Sequence, residues 1–110
     1  MEKFVKGDVI VLPFPFSDLT ANKKLPAFVL AELEGDDVIV CQITSKAKSD
    51  RYSILLSDTS FESGTLHQES FIRPNRLFTA DTRIVLYKVG SVKRPKADEV
   101  AAKVIEIIEK

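Results

Sequence analysis

Ala27-Phe28-Val29-Leu30-Ala31-Glu32-Leu33, then Glu34-Gly35-Asp36, then Asp37-Val38-Ile39-Val40-Cys41-Gln42-Ile43-Thr44 is the stretch that decides the fold. Two runs dense in branched and aromatic residues flank a short segment with turn chemistry, the pattern of a β-hairpin. Upstream, Gly7 to Leu12 is rich in Val and Ile and predicts a strand buried on at least one face. Pro13 and Pro15, set among Phe14 and Phe16, cannot donate to a ladder, so that strand should end or become an edge there. Ser17 to Lys24 has the composition of an exposed loop. Downstream, Tyr52 to Leu56 predicts a fourth strand, and Ser57 to Glu69 lacks either period and reads as a mobile loop with a turn near Gly64. Ser70 to Arg73 and Leu77 to Thr79 read as two short strands, Asp81 to Ile84 as one helical turn, and Val85 to Val92 as a last strand. The tail is helical, with Pro95 at its first position and Asp98 and Glu99 complementing the amino-terminal dipole. Ala97, Ala101, Val104, Ile105 and Ile108 recur at steps of three and four, a stripe expected to pack on the sheet. Several short strands with one terminal helix predict a mainly β (α+β) fold, a small, strongly bent antiparallel sheet or barrel.

Composition narrows the function classes. At 110 residues the chain fits one domain, 1–110, because a second core would leave too little apolar surface for either. Its 16 Lys and Arg balance 16 Asp and Glu, so any attraction to nucleic acid must come from a local patch. No apolar run approaches the roughly 20 residues of a membrane-spanning helix, so no membrane association is expected. The opening Met1-Glu2-Lys3-Phe4-Val5-Lys6-Gly7-Asp8 carries no hydrophobic signal core, and a lone Cys41 has no internal disulfide partner; both point to the cytoplasm.

One Cys and one His cannot build a zinc site of standard spacing, and there is no Gly-rich phosphate loop, so no metal or cofactor is expected. Cys41 lies inside an apolar strand, which favours a structural over a nucleophilic role. His67 lies in the irregular segment beside Gln68 and Glu69, where a solvated histidine is the plain expectation. What remains is a distributed set: Lys23 and Lys24 in the first loop, Thr44, Ser45, Lys46, Lys48 and Arg51 after the third strand, and Arg73 and Arg76 around the fifth. If the sheet folds back, these segments meet at one end and present positive charge with hydroxyls. Metal-free RNA cleavage needs a base for the 2′-hydroxyl, cations for the charge growing on the phosphoryl oxygens, and an acid for the leaving 5′-oxygen.

The order of segments adds a resemblance. Lys6-Gly7-Asp8-Val9-Ile10-Val11, Phe14-Pro15-Phe16-Ser17-Asp18-Leu19, Lys23-Lys24-Leu25-Pro26-Ala27-Phe28-Val29-Leu30 and Gln42-Ile43-Thr44-Ser45 resemble the PemK/MazF toxins of type II toxin–antitoxin systems. The likeness continues through Ser70-Phe71-Ile72-Arg73 and Leu77-Phe78-Thr79 to Gly90 and the terminal helix. It implies an SH3-like barrel, a homodimer, and sequence-selective, metal-free cleavage of single-stranded RNA to a 2′,3′-cyclic phosphate and a 5′-hydroxyl. It also implies a cognate antitoxin whose flexible tail fills the RNA groove, and a toxin–antitoxin complex that binds operator DNA.

Residue by residue, Lys23 matches the family's loop lysine, while Leu25 stands where an arginine precedes the proline; Lys24 is the nearest substitute. Leucine can neither carry charge nor donate a hydrogen bond. Thr44 and Ser45 match the hydroxyl motif after the third strand, with Lys46 beside them. Arg73 matches an arginine that some members use as catalytic acid. Asn75 stands where those members have an aspartate that can act as base, a role closed to an amide. Asp18 is an alternative carboxylate for that role. Lys23, Ser17, Ser45, Lys46, Asn75 and Arg76 are the candidate RNA contacts, and Arg73, Thr44, Lys24 and Asp18 the candidate catalytic groups. Two functions therefore compete: an endoribonuclease toxin, and a catalytically impaired relative that binds an antitoxin or nucleic acid.

Overall fold

The computed structural model describes residues 3–14, 23–46 and 50–110. Within them run seven strands and one helix: β1 (Asp8–Phe14), β2 (Lys23–Glu32), β3 (Asp37–Thr44), β4 (Ile54–Leu56), β5 (Phe61–Gly64), β6 (Ser70–Asp81), β7 (Tyr87–Val92) and α1 (Arg94–Glu109). The strands form one antiparallel sheet in the order β4-β6-β3-β2-β1-β7-β5. Its two edges, β4 and β5, are consecutive in the chain and joined through a single 3-10 turn, Asp58–Ser60. Seven flat strands would span about 29 Å between edges at about 4.8 Å per step. Five residue steps from Leu56 to Phe61 reach at most about 18 Å. The sheet must therefore curl until its edges approach, and it does, as a half-barrel.

The curl explains the apolar runs. Val9 and Phe28 join Cys41, Ile43, Leu56 and Ile72 in a core beneath α1, while Ile10, Leu12, Ala27, Val29, Val38 and Val40 form a second core. The central strands are thus buried on both faces and read as near-continuous hydrophobic runs rather than clean alternation. The β2–β3 hairpin forms as expected, closed by a bond from the Leu33 N–H to the Asp37 carbonyl (3.0 Å) with Gly35 at φ 75°. Beyond the pairing of Val11 with Tyr87, β1 continues to Phe14, paired among the described residues only with β2; on the other side of Pro13 the ladder to β7 has ended.

Four details differ from the expectation. β2 begins at Lys23, because Lys24 and Lys23 pair with Pro13 and Phe14; the end of the expected loop is strand. The segment after Ser57 is not an irregular loop throughout but holds the 3-10 turn and β5, which is short and pairs only with β7. There the backbones nearly touch: a Cβ on Gly64 would lie 2.1 Å from the Val89 carbonyl oxygen, and one on Gly90 2.1 Å from that of Ser63. The two short strands around Pro74 are one, β6, interrupted in register: Gln42 pairs with Arg73 and Cys41 with Leu77. Pro74 falls in that bulge, where its missing N–H breaks no ladder bond. Finally, α1 turns Ala97, Val100 and Val104 inward, leaving Ile105 and Ile108 54% and 70% exposed. A tail with this many apolar residues offers more than one stripe, and packing on the sheet selects among them. Among the described residues, no helix is long and apolar enough to cross a membrane.

Candidate nucleic-acid interface

A cleft of about 880 Å³ opens at one end of the half-barrel. Pairing register builds it. Val11 lies opposite Pro26 on one side and Tyr87 on the other, so the start of β2 and the start of β7 flank the same point of β1. Ala27 lies opposite Gln42, which carries Thr44, at the end of β3, to the level where β2 begins. Lys23, Lys24, Thr44, Ser45 and Lys46, separate in sequence, thereby line one cleft together with Tyr87, Lys88 and the segment holding His67 and Gln68.

The electrostatics are one-sided. Among the described residues, four lysines and no carboxylate line the cleft, in a chain whose formal charge is zero. Among the described residues, Lys23, Lys24 and Lys46 enter no ion pair. The Lys88 ammonium lies 3.3 Å from the Asp8 carboxylate, which is buried and also accepts from the Ser91 hydroxyl (2.8 Å) and the Val5 N–H (2.9 Å). Asp8 thus anchors Lys88 against the cleft wall. The Thr44 hydroxyl oxygen accepts from the Lys46 N–H at 3.2 Å, fixing the turn after β3 and leaving its hydrogen available to donate.

The remaining sequence-predicted residues lie elsewhere. Arg73 faces Gln42 in register but does not line the cleft; its side chain is 15% exposed, and a terminal nitrogen meets the Asp50 carboxylate at 3.2 Å. The Arg73 Nε is buried and has no partner among the described residues. Bonds from the Ser53 and Tyr52 N–H groups, with the Ser53 hydroxyl and Arg73 adding to them, hold the Asp50 carboxyl below its usual range. Arg76 donates from Nε to the Gln42 side-chain oxygen at 3.2 Å and does not itself line the cleft, and Asn75 is exposed on the β6 bulge. Ser17, Asp18 and Lys48 lie outside the described residues. Cys41 is fully buried, and burial pushes its thiol up to about 12, which leaves no thiolate for nucleophilic chemistry. Tyr87 and Lys88 had no mark in the linear sequence beyond the weak signal of an aromatic next to a base, and Gln42 entered only as the first residue of the Gln42-Ile43-Thr44-Ser45 block.

The family profile of PemK-like, MazF-like toxins of type II toxin-antitoxin systems matches residues 5–108. The chain belongs to this family. No curated protein matches it by sequence. Among solved structures, it is similar to MazF (Form-I) from Deinococcus radiodurans, at 17% identity and a TM-score of 0.78 over 100% of both chains. MazE-MazF (Form-II) from the same organism gives 18% identity and a TM-score of 0.74, covering 99% of this chain and 98% of that one. An endoribonuclease in complex with its cognate antitoxin, from a mycobacterial species, gives 11% and 0.70 over 96% and 97%. Set within the PemK/MazF family, the cleft has one conspicuous feature: Leu25, at the position where the resemblance implies arginine, lines it with a half-buried apolar side chain.

Proposed function

We propose that this PemK/MazF-family protein is a sequence-selective, metal-independent endoribonuclease that cuts single-stranded RNA, neutralised by a cognate antitoxin occupying the same cleft. The observation that carries this reading is that, among the described residues, four lysines with hydroxyls and no carboxylate line one cleft of a neutral chain. An unpaired strand brings phosphates that such a cleft attracts, and bases that can stack on an exposed aromatic such as Tyr87. In this reading Lys23, Lys24 and Lys46 hold phosphate oxygens and offset the charge that grows on them, while Thr44 and Ser45 fix the strand by hydrogen bonding. The ribose 2′-oxygen attacks the adjacent phosphorus and the 5′-oxygen leaves, giving a 2′,3′-cyclic phosphate and a 5′-hydroxyl. The reacting oxygen is already tethered beside its target, so few protein groups suffice. The resemblance offers Arg73 as acid, on condition that it leaves Asp50, and Asp18 as base; both roles are also open to groups that line the cleft. Homodimerisation is supported by exposed Leu55, Leu86, Ile105 and Ile108, and family membership supports operator binding by the toxin–antitoxin complex and a cytoplasmic location as parts of this proposal.

Incubating the protein with long single-stranded RNA in EDTA tests the reading. Discrete cuts bearing cyclic phosphate ends are expected, and they should weaken in Lys24→Gln. A second reading is favoured by Leu25 in the cleft and by Asn75: a family member that binds antitoxin or nucleic acid without cutting. Intact RNA alongside tight binding of a cognate antitoxin would establish that alternative.

A further inference from the structure

Transesterification needs a group that takes the 2′-hydroxyl hydrogen, and among the described residues no carboxylate lines the cleft. The described lining side chains that carry exchangeable protons are ammonium, phenol, alcohol and amide groups, and one imidazole, that of His67. Of these chemical classes, only an imidazole gives and takes a proton readily near neutral pH. His67 is also the single histidine of the chain.

Its setting is unusual for a merely solvated side chain. His67 is the one described non-glycine residue at positive φ, 57°, a conformation that costs energy and persists only where its surroundings impose it. The Thr65 hydroxyl oxygen accepts from the His67 N–H at 2.9 Å and donates to the Asp58 carboxylate, so the 3-10 turn between the sheet edges braces the bend. The imidazole is exposed, outside both cores, and lies on the cleft wall. The charged groups around it are Lys23, Lys24, Lys46 and Lys88 lining the same cleft, with Asp58 and Glu69 in the shallow hollow on its other side.

We propose that His67 is the proton acceptor of this cleft, taking the 2′-hydroxyl hydrogen of a bound RNA strand. The proposal rests on the endoribonuclease reading above. As the imidazole nitrogen takes the hydrogen, the 2′-oxygen bonds to phosphorus and the bond from phosphorus to the 5′-oxygen breaks. The electron pair leaves on that oxygen, which takes a proton from a neighbouring lysine ammonium. The imidazolium then returns its proton to water and the amine regains one, restoring both groups.

His67→Asn is the discriminating variant, because asparagine tolerates the left-handed backbone while its amide cannot accept the proton. Cleavage of a short RNA is measured in EDTA from about pH 5 to about pH 8. Binding of the same oligonucleotide with 2′-deoxy sugars is measured in parallel. The variant should lose about 100-fold or more in kcat with unchanged Kd for the uncleavable strand, and added imidazole should restore part of the rate. The acid-side fall of the wild-type rate should vanish with it. If the wild type cuts and His67→Asn cuts equally fast, the proposal is wrong and the endoribonuclease reading stands. A variant that loses affinity and rate together makes His67 an RNA contact and also overturns the proposal. If the wild type leaves RNA intact, the reading itself fails and takes the proposal with it. Thermal melting checks the fold; should His67→Asn melt early, His67→Gly, equally suited to positive φ, replaces it under the same criteria.

Discussion

Replacing Lys24 by Gln should change not only how tightly the protein holds single-stranded RNA but how steeply that grip depends on salt. Each phosphate neutralised on a single strand contributes about 0.7 to the slope of log K against log salt. Lys23, Lys24 and Lys46 line the cleft without an ion pair among the described residues, and Lys88 is shared with Asp8. Three to four phosphate contacts give a slope between about −2 and −3, so raising salt from about 50 to about 200 mM should weaken binding about 20- to 50-fold. Lys24→Gln should flatten the slope by about 0.7. Lys103, on α1 and paired with Glu106 at 2.9 Å, supplies the control: Lys103→Gln should leave it unchanged. Fluorescence anisotropy of a labelled 2′-O-methyl RNA measures both. A slope near zero, or equal effects of the two substitutions, would refute the assignment of the charge to this cleft.

Three further outcomes follow from the fold. Gly90→Ala must push β5 and β7 apart to relieve a 2.1 Å approach, and should cost about 2 kcal/mol or more in urea unfolding; an unchanged midpoint would contradict the packing. Val100→Ala, at a fully buried site, should cost about 1–3 kcal/mol, whereas Ile108→Ser should fall within about 0.5 kcal/mol of wild type, and the reverse order would restore the stripe through Ile108. Side-chain and backbone bonds from Arg83 hold the Asp81 carboxyl down to about 2, below the usual value of about 3.9. A depressed carboxyl favours the folded state above the unfolded value and loses that contribution as pH falls toward the folded one. Urea midpoints of Asp81→Asn should therefore vary less than wild type between about pH 4 and about pH 2, and parallel curves would contradict the contact.

The hairpin of β2 and β3 was legible because Glu34-Gly35-Asp36 and two apolar runs agree at the local level, and Pro95 marked the start of α1 for the same reason. β5 was not: four residues contacting one neighbour leave little periodic trace, and the glycines that permit their approach, Gly64 and Gly90, lie far apart in sequence. The expected separation of Ser70 to Arg73 from Leu77 to Thr79 failed because a bulge carries the strand through Pro74, whose missing N–H is not needed there. At the cleft, Lys23, Lys24, Thr44, Ser45 and Lys46 could be grouped in advance, since each lies at the end of a neighbouring central strand. Arg73 could not be placed, because Asp50, a partner 23 residues away, draws its guanidinium aside. His67, Tyr87 and Lys88 join the cleft only through the curl of the sheet, which brings β7 and the β5–β6 connection around to face β2.

The central claim, that this cleft seats unpaired RNA, is tested most directly by mapping backbone amide shifts on titration with a 2′-O-methyl oligonucleotide. The amides of Lys24, Thr44, Lys46, His67 and Lys88 should move together and saturate with a single Kd, while those of α1 stay still. Shifts centred on α1 or on the β2–β3 turn around Gly35, with the cleft amides unmoved, would contradict it.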